Sequence, residues 1–205
     1  MLRNFTSIIM ALVFAGLATG CGPQMKKESG FLSDYSRLET VDDDHSLYRD
    51  PSLTKATCPR LIIDPIQFNL DEEDRKGFSE EEIREVREYA QTALTKVFSR
   101  HFQLVTQPGP GVCRLRVAFT DLERSQALLN LHPLSRATGA GRGGAAMEGE
   151  LVDSQSNKQL SAITRRATGE FFSGSGVGSL SDIKSAIDRW AEDADKNIAA
   201  RLFGS

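Results

Sequence analysis

The sequence predicts an α+β fold. We expect a two-layer sandwich, a mostly antiparallel sheet of four to five strands with two amphipathic helices, in the order β-α-β-β-β-β-α. Three observations lead there. Residues 79–101 and 181–203 repeat apolar side chains at helical spacing. Several short stretches between them alternate apolar and polar residues, as one-sided strands do. Two helices with an apolar stripe need a face to cover, and such strands supply one.

Residues 1–20 stand apart from that domain. Met1 to Asn4 carries one positive charge, Arg3, and Phe5 to Leu17 is almost wholly apolar or small. A short basic head followed by a hydrophobic stretch matches a secretory signal. The stretch falls short of the ~20 apolar residues a bilayer requires. It ends in "LATGC", which looks like a bacterial lipobox with Ala18 where leucine is more usual. We therefore expect a lipoprotein signal peptide over 1–20 and acylation of Cys21, palmitate included. An ordinary cleaved signal and a retained membrane helix are the competing readings. By resemblance to enterobacterial sorting, Gly22 rather than aspartate after the cysteine implies the outer membrane, with the domain facing the periplasm.

Residues 21–57 read as a polar tether behind the lipidated cysteine, interrupted by "FLSDYSRL". Phe31, Leu32, Tyr35 and Leu38 make an apolar and aromatic island there. Such an island docks either on the chain's own domain, the plainer reading, or on a partner. All four are kept as candidate partner contacts. "VDDDH", ending at His45, reads as a solvated charge run.

The domain spans 58–205. "RLIIDPIQF" reads as a strand, with Pro65 pointing to an edge or a bulge. "DEEDRKG" is a charged loop. Ser79 and Glu82 form a capping box opening a helix to about His101, with Ile83, Val86, Ala90, Leu94, Val97 and Phe98 on one stripe. "FQLVTQPGPGV" is a short strand and a turn. "CRLRVAFTD" sets Cys113, Leu115, Val117 and Phe119 against Arg114, Arg116 and Ala118. Residues 125–144 read as a loop. "AAMEGELVD" and "QLSAITRRATGEFF" form a hairpin around "SQSNK", with Met147, Leu151, Leu160 and Ala162 inward. After the connector "SGSGVGS" comes the helix over about 181–203, striped by Ile183, Ile187, Trp190, Ala194, Ile198 and Leu202.

Taken together, "SGFLSDYSRL", "LIIDPIQF", "CRLRVAFTDLE" and "AAMEGELVDSQSNKQLSAITRRATG" resemble a family of uncharacterised bacterial lipoproteins, domain of unknown function 3313. The resemblance covers most of the mature chain. The family tends to carry Thr-Gly at the hairpin turn, where this chain has Ser156-Asn157. The resemblance implies an envelope lipoprotein and transfers no catalytic residue.

Charge and cysteines narrow the function. The 205 residues carry a formal charge of −3 and no long Lys/Arg run, which makes nucleic acid a poor partner. With Cys21 lipidated, Cys58 and Cys113 remain, an even pair that reads as a disulfide in an exported protein. Two unpaired buried thiols are the alternative. A metal is disfavoured because no His or third Cys stands at ligand spacing.

Catalytic motifs are not found. "GAGRGG" at 139–144 fits the dinucleotide spacing but leads into a strand instead of a helix. His45, His101 and His132 are scattered. Glu148 and Glu150 share a face that Arg114, Arg116, Arg165 and Arg166 could also occupy. Paired carboxylates can do acid–base work, but these read as cross-strand charge pairs on a solvated sheet, with a charged recognition surface as the lesser reading. The expectation is a non-enzyme with no catalytic residues, no cofactor and no metal. It is an interaction or adaptor module held to the membrane by the lipid on Cys21, with an envelope protein as partner. The alternatives are a binder of a small envelope ligand or peptidoglycan fragment and, remotely, a hydrolase with a scattered active site.

Overall fold

A computed structural model describes residues 28–123, 144–168 and 180–202. The expectations for the signal peptide, Cys21, the glycine-rich runs at 139–143 and 173–179, and His132 lie outside the described residues.

One eight-stranded sheet organises the chain, with two long helices on one face. In chain order the elements are β1 (Glu39–Asp42), β2 (His45–Arg49), β3 (Arg60–Ile63), β4 (Gln67–Phe68), α1 (Glu72–Lys76), α2 (Glu80–Phe98), β5 (Gln103–Leu104), β6 (Val112–Glu123), β7 (Gly144–Asp153), β8 (Gln159–Thr168) and α3 (Ser181–Leu202). The sheet runs β1-β2-β8-β7-β6-β3-β5, with β4 also paired to β6. The α+β class holds, but the expected four to five strands and their order are corrected. Pairings among β1, β2, β8, β7 and β6 are antiparallel, whereas β3 pairs parallel to both β5 and β6, and β4 parallel to β6.

The largest correction falls in the region expected to be a tether. Residues 39–49 form a β-hairpin closed at Asp43-Asp44, and β2 adds to the sheet beside β8, with Leu47 opposite Ile163. Asp42 accepts the Asp44 amide at 3.0 Å, so part of the acidic run is turn chemistry. The charged "DEEDRKG" holds the short helix α1, capped by Asp71, which accepts from the Asp74 amide at 2.9 Å. Pro65 interrupts an interior strand: β3 ends at Ile63 and pairing to β6 resumes in β4.

The two long helices follow from sequence signals. The reciprocal capping box of Ser79 and Glu82 starts α2, and Ile83, Val86, Ala90 and Val97 are its buried residues. On α3, Ile183, Ala186, Ile187, Trp190 and Ala191 are buried. The helices are tied together by Tyr89 donating to Asp188, by Lys184 with Glu85, and by Arg100 and His101 with Asp195. Both press on Leu115, Val117, Phe119 and Leu151 of the sheet.

A disulfide joins Cys58, just before β3, to Cys113 of β6, with their Cα atoms 5.7 Å apart inside this core. It staples the entry into the domain to the central strand. The β7–β8 turn places Asn157 at φ 57°, in the left-handed region that glycine or asparagine takes most easily. That is why asparagine can stand where the family tends to have glycine. A bulge near Leu151–Val152 leaves Leu160 in the helix-side core and puts Ala162 on the opposite face, correcting its expected direction.

Candidate functional site

The sheet face away from the helices was expected to be open. It is instead crossed by the segment that begins at Glu28 and leads into β1, here called the strap. Phe31 and Leu32 are buried against Ala118 and Ala162, and Tyr35, Leu38 and Tyr48 pack around them. The island therefore docks on the chain's own domain, which corrects the candidate partner contact for Phe31 and Leu32 and leaves Tyr35 and Leu38 half-buried.

The strap is held by the two glutamates. Alternation along β7 does place Glu148 and Glu150 on one face, but they are 6 % and 1 % exposed, not solvated. A buried carboxylate costs several kcal/mol unless donors surround it. Here the strap supplies them. Glu148 accepts from the Ser29 amide at 3.2 Å, the Ser29 hydroxyl at 2.7 Å and the Tyr35 hydroxyl at 2.5 Å. Glu150 accepts from the Ser33 amide at 2.9 Å and hydroxyl at 2.7 Å, from Gln159 at 3.0 Å and from Arg116 at 2.5 Å. Burial, and then the bond to Glu148, push the Tyr35 phenol above its ordinary pKa.

Further contacts fix the strap's path. Gly30 takes φ 80°, a value that suits glycine. The Arg116 guanidinium lies 5.3 Å from the Phe31 ring centre. Arg37 bonds Asp34, the Tyr48 hydroxyl and Gln159, and stacks 4.2 Å over the Tyr48 ring. Ser36 hydrogen bonds, followed by Arg37, hold the Asp34 carboxyl below the usual carboxylate range.

The expected arginine cluster divides. Arg116 pairs with Glu150, Arg166 with the buried Asp121 at 2.6 Å, and Arg114 with Asp64 at 3.4 Å. Arg165, one residue from Arg166, points to the helix side and meets Asp193 of α3 at 2.8 Å. Adjacent strand residues face opposite ways, so the two could not share a surface.

Beside the strap runs a cleft of about 610 Å³, walled by Tyr35 and Leu38 and lined by Ser46, Thr120, Thr164 and Arg166. Its lining is rich in hydroxyl and charged groups. Among the described residues, no group of three or more His, Cys, Asp or Glu is placed to hold a metal ion. His101 bonds Asp195 at 2.5 Å and His45 pairs in register with Arg165. Sequence reasoning missed Ser29 and Ser33, whose partners lie 119 and 117 residues away. The available signal was their interleaving with Phe31, Leu32 and Tyr35, which puts polar donors between buried anchors.

The family model DUF3313, a protein of unknown function, matches residues 27–194. An uncharacterised lipoprotein of Escherichia coli K12, YdcL, is 25 % identical over an alignment covering 92 % of this chain and 95 % of that protein. Among solved structures, a PelC dodecamer from Paraburkholderia phytofirmans aligns at 14 % identity and a TM-score of 0.42, covering 71 % of this chain and 91 % of that one. Lipoprotein GNA1162 from Neisseria meningitidis aligns at 15 % identity and a TM-score of 0.32, covering 65 % and 98 %.

Proposed function

The chain belongs to the DUF3313 family, and from that premise we propose that it is an envelope lipoprotein, anchored in the outer membrane through acylated Cys21, that binds other envelope components and catalyses no reaction. One observation carries the reading: the strap. Only seven residues, eight residue-to-residue steps, lie between Cys21 and Ser29, which is bonded to Glu148. At ~3.3–3.6 Å per extended residue those steps span at most about 29 Å. The strap thus replaces a long tether with a short one and holds the domain close to the bilayer in a restricted orientation. Two or more acyl chains on one cysteine make a stable attachment. The same bonds speak against an acid–base role for Glu148 and Glu150, whose oxygens are taken up by strap donors, Gln159 and Arg116.

Fractionation tests the anchor. The wild type is expected in the outer-membrane fraction and Cys21→Ser in the soluble periplasm; a soluble wild type overturns the proposal. Photo-cross-linking residues at Asn69 or Thr120, which line the cleft, are expected to trap a discrete envelope protein. The same probe at Lys96, exposed on α2, is not. Equal capture from both faces, or none from the cleft, defeats the adaptor reading.

The cleft also favours a second reading, a small polar envelope ligand such as a peptidoglycan fragment, because its lining offers hydroxyls beside a guanidinium. Thermal stabilisation by muropeptides separates the two.

A further inference from the structure

The cleft beside the strap has a floor laid out by the sheet register. Thr40 of β1, Ser46 of β2, Thr164 of β8 and Glu148 of β7 are direct cross-strand partners, so they form one row on the strap side. Strands lie about 4.8 Å apart, and the row offers a side-chain oxygen at each step. Two of these oxygens are unpaired. Ser46 is 3 % exposed and lines the cleft, and among the described residues its hydroxyl has no hydrogen-bond partner. The Thr164 Oγ1 is buried and likewise has none. Buried polar groups are nearly always bonded, so an unpaired hydroxyl at a cleft marks a place where a ligand can bond.

The cleft carries charge of one sign. Arg165 and Arg166 line it, but each faces a carboxylate outside the lining, Asp193 and Asp121 respectively. Against them stand Glu28 on the strap, Asp44 in the β1–β2 turn and Glu148 on the floor. Glu148 accepts from neutral donors, Ser29 and Tyr35, which solvate its charge without cancelling it. Among the described residues the Glu28 and Asp44 carboxylates have neither a hydrogen bond nor an ion pair. With every pair counted, carboxylates still outnumber guanidiniums, and a cleft lined by one sign concentrates ions of the other.

We propose that this cleft binds a small aliphatic polyamine. The proposal rests on the small-ligand reading of the cleft and gives that ligand its chemistry. A primary ammonium has three donors and no acceptor, while hydroxyl and carboxylate oxygens accept. One ammonium end meets Asp44 and the Ser46 hydroxyl, and the other meets Glu28. The methylenes between them lie along Leu38, Ala146 and Met147, the apolar part of the lining. A volume of about 610 Å³ falls within the ~300–1,000 Å³ of small-molecule sites.

Isothermal titration of spermidine into the purified full chain tests this. Saturable binding of one molecule is expected at physiological ionic strength, about 0.15 M. 1,8-Octanediol, which keeps an alkyl chain and loses the charge, should not bind. Fully quaternised spermidine, which keeps the charge and loses every N–H, should bind about ten-fold more weakly. Asp44→Asn should weaken spermidine about ten-fold, and Ser46→Ala about five-fold. The thermal midpoint of Ser46→Ala should stay level or rise, because the hydroxyl it removes bonds nothing in the free protein; should that variant fail to fold, Asp44→Asn decides. Glu81→Gln, exposed on α2, should bind as the wild type does. Undiminished binding by Asp44→Asn overturns the proposal. So does equal weakening by Glu81→Gln, which would mean general charge attraction. If spermidine fails to bind while a muropeptide stabilises the chain, the proposal falls and the small-ligand reading stands; if neither binds, both fall.

Discussion

The Tyr35 hydroxyl and the Glu148 carboxylate meet at 2.5 Å although 113 residues separate them in the chain. This bond ties the strap to the middle of the sheet. Removing it with Tyr35→Phe leaves a buried carboxylate short of one donor, which should cost about 1–2 kcal/mol in urea unfolding. Tyr35→Phe combined with Glu148→Gln should cost less than the sum of the two, by at least ~0.5 kcal/mol, because the residues share one network.

Glu150 should be the more sensitive position. It is 1 % exposed and takes donors from Ser33, Gln159 and Arg116. Glu150→Ala removes the acceptor that all of them use and strands the Arg116 charge. About 3–5 kcal/mol should be lost, and limited proteolysis should begin to cut between Ser29 and Leu38. An uncut strap in a folded Glu150→Ala protein would mean that apolar packing alone holds it.

Acid should weaken the fold through carboxylates held in their charged form. The Lys158 ammonium, 2.8 Å away, and then Ser52 keep the Asp50 carboxyl far below the ordinary range. The His101 bond, reinforced by Arg100, lowers Asp195. Depressed native values mean that this stability is complete above the unfolded carboxylate pKa of ~3.9 and is lost as pH falls through the native values. The urea midpoint should hold steady from about pH 7 to 5 and then drop. Asp50→Asn should make the acid limb shallower, and an unchanged limb would remove Asp50 from the account.

The β7–β8 turn gives a backbone test. Asn157 sits at φ 57°. Asn157→Gly should stabilise by up to ~1 kcal/mol and Asn157→Val should cost about 1–2 kcal/mol, because only the branched residue resists the left-handed region. Thermal melts of the pair should move in opposite directions.

What could be read from the sequence was local. The Ser79–Glu82 box and the apolar stripes placed α2 and α3, and alternation placed Glu148 and Glu150 on one face. What covers that face was not legible, since the cover comes from residues more than a hundred positions away and carries as many hydroxyls as apolar side chains. The β1–β2 hairpin escaped for the same reason. Its strands are polar and short, and β2 becomes a strand by pairing with β8. Nor is the parallel pairing of β3 with β6 legible, because the alternation from Cys113 to Phe119 signals a strand but not the direction of its neighbour.

The strap also sets an order of events. Ribosomes make Ser29 and Ser33 more than a hundred residues before Glu148 and Glu150, and the hairpin's β2 edge waits equally long for β8. The first part of the domain to be synthesised therefore has nowhere to settle until nearly all of the chain exists. Contacts of such long separation close slowly, so the chain stays open and threadable for most of its synthesis and locks only when its β7–β8 hairpin arrives.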